Sequence, residues 1–260
     1  FGSKCFHICK VSNDSDGRLY IENLKKSGVS HQGLKLSKIT ESTGKCLILV
    51  TPDAKRTMLS TLGSSACLSI EDVNYHALAN SKIFFIEGYM TTSNQNFSVL
   101  LEIMNSKRLN NIKKAITLSD AGVVKTFKNR FVQIEKFGLD YMFCNDAEAL
   151  AYSSSTTIDD SISFFKEKEY TTIITMGEKG CAIIRKGCAN FSPALKIDAV
   201  DTNGAGDMFA GTYLHCINNG FSHKKAAALS NYASSMIVQK FGPRLTKDEY
   251  TKILKKIKKS

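Results

Sequence analysis

Asp201-Thr202-Asn203-Gly204-Ala205-Gly206-Asp207-Met208-Phe209-Ala210-Gly211 is the most informative stretch of this 260-residue chain. Two glycines flank an alanine just ahead of a helical run. Small residues let backbone approach a ligand closely. The first N–H groups of a helix have no intrahelical partner, and the helix dipole adds positive potential there. Gly204, Ala205 and Gly206 therefore read as an anion cradle, with Asp207 at its mouth. Two readings of Asp207 stand side by side: a helix cap, or a base that removes a hydroxyl proton as that oxygen attacks phosphorus.

Outward from this stretch the pattern alternates. Asp207–Asn219 and His223–Lys240 are helical in period, as are Phe97–Met104, Val123–Ile134 and Ile158–Lys168. Ser69–Asp72 looks like a helix start leading into Val73–Leu78. Ile83–Glu87, Ala115–Ser119, Tyr141–Cys144, Thr171–Thr175 and Cys181–Arg185 are short and strand-like, and Thr171–Thr175 is β-branched and apolar. Strands separated by helices predict a three-layer α/β/α sandwich on a mainly parallel sheet, with ligands at the carboxyl ends of the strands. Lys45–Val50 and Thr57–Leu62, around the Pro52-Asp53 turn, break that rhythm and predict a small β lid over residues 42–62. The whole of 1–260 reads as a single domain, without repeats or a linker.

Composition removes other classes. The chain is 43% hydrophobic and 23% charged, as an ordinary globular protein is. No apolar run approaches the roughly 20 residues of a membrane helix, so no membrane is expected. The net charge of +11 invites a nucleic-acid reading. However, Arg244–Ser260 holds seven basic residues against two acidic ones, with Tyr250, Ile253, Leu254 and Ile257 at helical spacing. Those lysines read as the solvated face of a terminal helix, and no nucleic-acid partner is expected. Eight cysteines contain no CxxC pair and no zinc spacing, which predicts reduced thiols and a cytoplasmic protein. There is no GxxxxGK[ST] string and no GxGxxG after a strand.

The full Asp201–Gly211 string resembles the carboxyl-terminal signature of the ribokinase-like (PfkB) family of carbohydrate and nucleoside kinases. Other segments follow in that family's order: Asn145-Asp-Ala-Glu148, Thr175-Met-Gly177-Glu-Lys-Gly180, and Lys10-Val-Ser12-Asn-Asp14 with Gly17. Thr43-Gly44 and Pro52–Met58 resemble the lid of adenosine-kinase-like members. Ser12 stands where the family has glycine, and Phe241-Gly242-Pro243 departs from the family's small residues after the glycine.

The resemblance implies an ATP-dependent phosphotransferase acting on a hydroxymethyl group of a ribose- or adenosine-type acceptor. Asp207 would be the general base and Gly204–Gly206 the anion hole. Asn145 and Glu148 would hold Mg2+ and phosphates through water; spacing alone favours a helix cap for Asn145, and the resemblance reverses that. Thr175, Gly177, Gly180, Asn231 and Gly242 would line the nucleotide site, although the glycines alone are a hairpin turn. Arg56 would reach phosphates or acceptor from the lid, or be a solvated charge. Glu87 would contact the acceptor, or cap the loop after its strand. Asp201 and Asn203 would mark a monovalent-cation site, for K+. The lid's exposed edge implies a homodimer. The family has several dozen further residues upstream, so a truncated record is expected at Phe1; a chain starting there would favour a non-catalytic nucleotide-binding protein on the same fold.

Overall fold

The computed structural model describes residues 1–32, 41–51 and 56–259, with Arg56 by its backbone alone. The Pro52-Asp53 turn falls outside the described residues. Along the chain come β1 (Phe6–His7), α1 (Ser15–Lys26), β2 (Ser30–His31), β3 (Lys45–Val50), β4 (Arg56–Thr61) and α2 (Tyr75–Ala79). Then follow β5 (Ile83–Glu87), α3 (Asn94–Asn105), β6 (Lys113–Thr117), α4 (Ala121–Glu135), β7 (Tyr141–Asn145), α5 (Asp146–Ser153) and α6 (Ile158–Lys166). The chain continues through β8 (Thr171–Thr175), β9 (Cys181–Arg185), β10 (Cys188–Ser192), α7 (Ala205–Asn218), α8 (His223–Ile237) and α9 (Lys247–Lys258).

The central sheet has the order β10-β9-β8-β7-β6-β5. β5 to β8 are mutually parallel, while β9 and β10 run antiparallel at one edge. Parallel strands covered on both faces read as continuous apolar runs, which is why β7 and β8 are almost wholly buried. Successive residues serve opposite layers. Ala115, Tyr141, Phe143, Ile173 and Ile183 pack under α7, α8 and α9, against Phe209, Tyr213, Ala227, Ala233 and Ile253. Ile116, Met142, Ile174 and Ile184 face the other way, against Leu100, Val124, Phe131, Tyr152 and Phe165 of α3 to α6. These are the three layers the alternation predicts.

Several expected boundaries move for identifiable reasons. β6 stops at Thr117 because Ser119 takes a left-handed conformation, φ 69°, and turns the chain. Ser69–Asp72 forms a capping box on a 3-10 turn, and α2 starts only at Tyr75 under the Asn74 cap. α8 ends at Ile237, and the Val238 carbonyl accepts from the N–H groups of Val200 (2.7 Å) and Asp201 (3.2 Å). β3 and β4 form an antiparallel hairpin apart from the central sheet. No helix among the described residues is long and apolar enough to cross a membrane.

Candidate active site

The carboxyl ends of β5, β6, β7 and β8 rise together beneath the amino end of α7. Gly204 is the N-cap of α7, with φ 79°. A Cβ there would stand 2.9 Å from the Pro243 Cβ, so both the left-handed backbone and the packing require glycine. Gly206 differs: a Cβ on it would meet nothing within 4 Å. Its outer side is open space, which suits an approaching ligand. Asp207 lies in the first turn and is exposed, but Gly204 holds the cap position. Asp207 is thus the third residue of α7, directly after Gly206.

Asp201 fixes the cradle. It is 4% exposed, and each carboxylate oxygen accepts a backbone N–H: Asn203 at 2.8 Å and Gly242 at 3.0 Å. The Ser234 hydroxyl donates to the Ala205 carbonyl at 3.1 Å. Asp201 thus ties the cradle to the turn at Gly242, whose φ of 89° needs glycine. Both its oxygens serve the loop, so any cation in this loop would rely chiefly on backbone carbonyls. Among the described residues no group of three or more His, Cys, Asp or Glu side chains converges as a metal cage.

Glu87 ends β5. Its rim is open to solvent, yet crowding by the surrounding protein raises its carboxyl above the usual range, and the Asp207 charge adds to the rise. The carboxyl groups of Glu87, at the end of the β5 strand, and Asp207, at the start of α7, are therefore close enough to interact. Beside Glu87, the Gly88 N–H donates to the Ser119 hydroxyl at 2.9 Å. Ser119 is one of three described non-glycine residues with positive φ. Strain of that kind gathers at functional sites, but no sequence signal marks it. Tyr20 of α1 also faces Glu87: burial raises its hydroxyl to about 12, with Cys9 and Glu87 adding and Arg244 opposing.

Asn145 and Glu148 sit where β7 gives way to α5. The Asn145 side chain accepts the Glu148 N–H at 2.8 Å, while Glu148 accepts the Asn145 backbone N–H at 3.0 Å and its amide N–H at 2.7 Å. This is a reciprocal capping box, so the cap reading of Asn145 holds. Glu148 is only 5% exposed, and its carboxylate still has lone pairs for water or a hydrated cation. That fits Mg2+, which keeps most of its waters and suits oxygen ligands. Thr175 pairs with Asn145 across β7 and β8.

The nucleotide-side residues divide. Gly177, φ 54°, has open space where a Cβ would be. Gly180 does not: a Cβ would stand 2.1 Å from the Ser192 carbonyl oxygen. The Asn231 amide donates to the Ser192 and Pro193 carbonyls at 3.1 and 3.0 Å. Gly180 and Asn231 therefore meet at the end of β10, where they join sheet to α8. Gly242 is open on its Cβ side and adjoins the cradle. The Arg56 backbone pairs with Val50; its side chain lies outside the described residues.

The sequence signal missed how the amino-terminal motif works. Asp14 caps α1 by accepting the Gly17 N–H at 2.8 Å. It also takes the Thr43 hydroxyl at 2.6 Å and the Thr43 N–H at 2.8 Å. These bonds hold its carboxyl down at about 2, those from Thr43 contributing most. The base of the β3–β4 hairpin is thereby anchored to α1, beside the Lys10–Asp72 ion pair at 2.8 Å.

Comparison with known proteins shows the family and the fold. The family model described as "pfkB family carbohydrate kinase" matches residues 1–249. The chain is similar to the ribokinase of Mus musculus, 28% identical over 260 residues, spanning 93% of this chain and 75% of that protein. It is similar in structure to the adenosine kinase of Sinorhizobium meliloti, with TM-score 0.92 and 26% identity, covering 98% of this chain and 78% of that one. A candidate ribokinase II from E. coli, solved with ATP and Mg2+, shares the fold at TM-score 0.85 and 20% identity, covering 100% of this chain and 84% of that one. The ribokinase-like architecture, the Asp201–Asp207 cradle and the span of the family match make this chain a member of the pfkB family of carbohydrate kinases, and an ATP-dependent kinase by that membership.

Proposed function

We propose that this kinase moves the γ-phosphoryl of ATP to a hydroxymethyl group of a ribose- or adenosine-type acceptor, with Asp207 as general base. One observation supports the reading: Asp207 lies in the first turn of α7 directly after Gly206, whose Cβ side is open, and Glu87 lies close enough to feel its charge.

Asp207 takes the acceptor's hydroxyl proton as that oxygen bonds to the γ-phosphorus and the bond to the β-bridging oxygen breaks, leaving ADP. Backbone N–H groups at the start of α7 face the developing charge in a geometry already fixed by Asp201, which is the form of stabilisation that costs no reorganisation. Glu87 receives an acceptor hydroxyl. Asn145 and Glu148 would hold Mg2+ through water, and the ion would supply positive charge against the phosphates. Thr175, Gly177 and Gly242 are assigned to the nucleotide, and Arg56, whose side chain lies outside the described residues, to the phosphates or the acceptor. Gly180 and Asn231 support that wall from behind. A monovalent cation, tested by K+ titration of turnover, is assigned to backbone carbonyls of the Asp201–Asn203 loop.

The β3–β4 hairpin presents Leu47, Leu49 and Leu59 on one face, each at least half exposed. That face is proposed to close a homodimer, which Leu47→Asp would dissociate in light scattering. All eight cysteines are free thiols, in keeping with a reducing, cytoplasmic setting.

The test is ADP release, measured with Mg2+ against a panel of sugars and nucleosides. Asp207→Asn is expected to lower kcat by about 10²–10⁴-fold with little change in nucleotide affinity. Undiminished turnover in that variant would sink the base assignment. ATP binding without turnover of any acceptor would favour the non-catalytic reading.

A further inference from the structure

The opposite pole of the sheet, at the amino ends of the parallel strands, carries a separate feature that phosphoryl transfer does not use. Lys113 begins β6, Tyr141 begins β7, and Arg185 ends the antiparallel β9. Strand register puts Tyr141 beside Ala115, and Thr171 beside Tyr141. Ile184 pairs with Thr172, so Arg185 falls opposite Thr171. Lys113, Tyr141 and Arg185 are thus on the α7/α8 face of the sheet, at one end.

His223, the first residue of α8, lies between them. Its ring is 6.3 Å from that of Tyr141 and 6.0 Å from that of Tyr213, and its Nδ1 shares a 2.7 Å hydrogen bond with the Tyr213 hydroxyl.

This pole is rich in positive charge without its complement. The Arg185 Nε is buried and has no hydrogen-bond partner. Buried guanidinium donors are normally satisfied, so an orphan one marks a missing acceptor. Lys113 Nζ reaches only the Tyr141 hydroxyl, at 3.5 Å, and lies 5.8 Å from that ring's centroid. Among the described residues no ion pair joins Lys113 or Arg185 to a carboxylate. Asp140, the nearby acid at the start of β7, has an oxygen committed to the Lys114 N–H at 2.9 Å.

The helix end adds to the imbalance. The first turn of α8 has no acidic residue. It runs His223-Lys224-Lys225, against the preference for anions at a helix amino terminus. Burial holds His223 below its ordinary range, and the charges of Arg185 and Lys113 push it further down. Both cations therefore act on the one ring. Lys113 also borders a cavity of about 350 Å³ lined by Ser81, Lys82, Ile83, Asn111, Ile217 and Asn218, a wall of mixed polar and apolar character.

We infer that Lys113, Arg185 and the amino end of α8 form a second anion site, for a tetrahedral oxyanion such as phosphate or the phosphate group of a small polar metabolite. Arg185 supplies the planar donor, Lys113 the point charge, and the α8 amides the dipole end. The adjoining cavity takes the polar remainder when the oxyanion is carried on a polyol. This site lies at the other end of the strands from Asp207 and does not depend on which acceptor is phosphorylated.

The readout is the ring titration of His223 by NMR in the full chain, its signal identified with His223→Gln. A non-hydrolysable ATP analogue with Mg2+ fills the active site throughout. Inorganic phosphate is expected to raise the His223 pKa by about one unit, a tenfold change in proton affinity, because a bound anion favours the imidazolium. Sodium chloride at equal ionic strength should not. Lys113→Ala combined with Arg185→Ala should abolish the phosphate response while leaving turnover of the acceptor intact. Lys113→Glu, on an exposed side chain, should do the same and provides the test should the double variant not fold. Glucose 6-phosphate acting at tenfold lower concentration than phosphate would assign the cavity to the polyol; equal potency would assign the site to the free oxyanion. A His223 titration that phosphate leaves unmoved, that chloride moves equally, or that responds equally in both variants would overturn the proposal.

Discussion

Glu87 shows how a single carboxyl can trade stability for a site. Its pKa is raised by burial and by Asp207, so in the folded protein the charged form is disfavoured. A raised carboxyl pKa favours folding in acid. That advantage disappears as pH climbs from the ordinary glutamate value through the folded one, and at neutral pH the charge opposes folding. Glu87→Gln should therefore raise Tm at pH 7 and leave it nearly unchanged near pH 4, in thermal melts across pH, while weakening acceptor use. Asp14 has the opposite sign. Its carboxyl, held at about 2 by Thr43 and Gly17, favours folding above the ordinary aspartate range. That contribution is lost as pH falls from about 4 towards 2. Asp14→Asn should flatten the acid limb of the melting profile, and an unchanged limb would remove Asp14 from the account.

The elements around the cradle separate residues that serve the ligand from those that serve the fold. Gly206→Ala places a methyl into open space at ordinary backbone angles. Tm should hold or rise slightly, since alanine is the better helix former by up to ~1 kcal/mol, while kcat/KM falls. Gly204→Ala meets both a positive φ and Pro243, and should lose stability by about 1–2 kcal/mol or more along with activity. A Gly206→Ala enzyme with full activity would remove the phosphate from that surface. Much of this was legible in the sequence. β5, β8 and β9 have the boundaries their apolar runs predict; β8 and β9 are buried on both faces, and the edge strand β5 is bounded by Ile83 and Glu87 at the ends of its apolar run. The Gly204–Asp207 turn announced itself through residue types that only a special backbone needs. Other parts were silent. α1 buries only Gly17 and Ile21, too narrow a stripe to give a period. β10 is an edge strand, mostly exposed, with little apolar signal. The Asp14–Thr43 tie spans 29 positions and depends on a fold that no local pattern encodes. The Asn231 amide fastens α8 to the end of β10, a tie across 39 positions that no local pattern encodes.

Across the whole molecule the cysteines report the layers. Cys144, Cys181 and Cys216 are buried, and burial pushes Cys181 up to about 12 and Cys216 to about 11. Cys5, Cys46 and Cys188 are exposed. A thiol reagent at pH 8 should label the exposed three rapidly and reach the buried three only on unfolding, by mass spectrometry of the native chain. Early labelling of Cys181 would mean that the sheet opens at β9. The net charge of +11 also takes a different shape on the folded protein. Part of it is the outer face of α9, whose Ile253 and Ile257 are buried while its lysines meet solvent.

The clamp on the cradle also sets an order of events. The turn at 201–207 is held by the carbonyl of Val238, the amide of Gly242 and the ring of Pro243. Those residues leave the ribosome after it, at about 5–20 residues per second. A nascent chain that has already made Asp207 therefore has no finished cradle. The turn is completed only when later chain folds back over it.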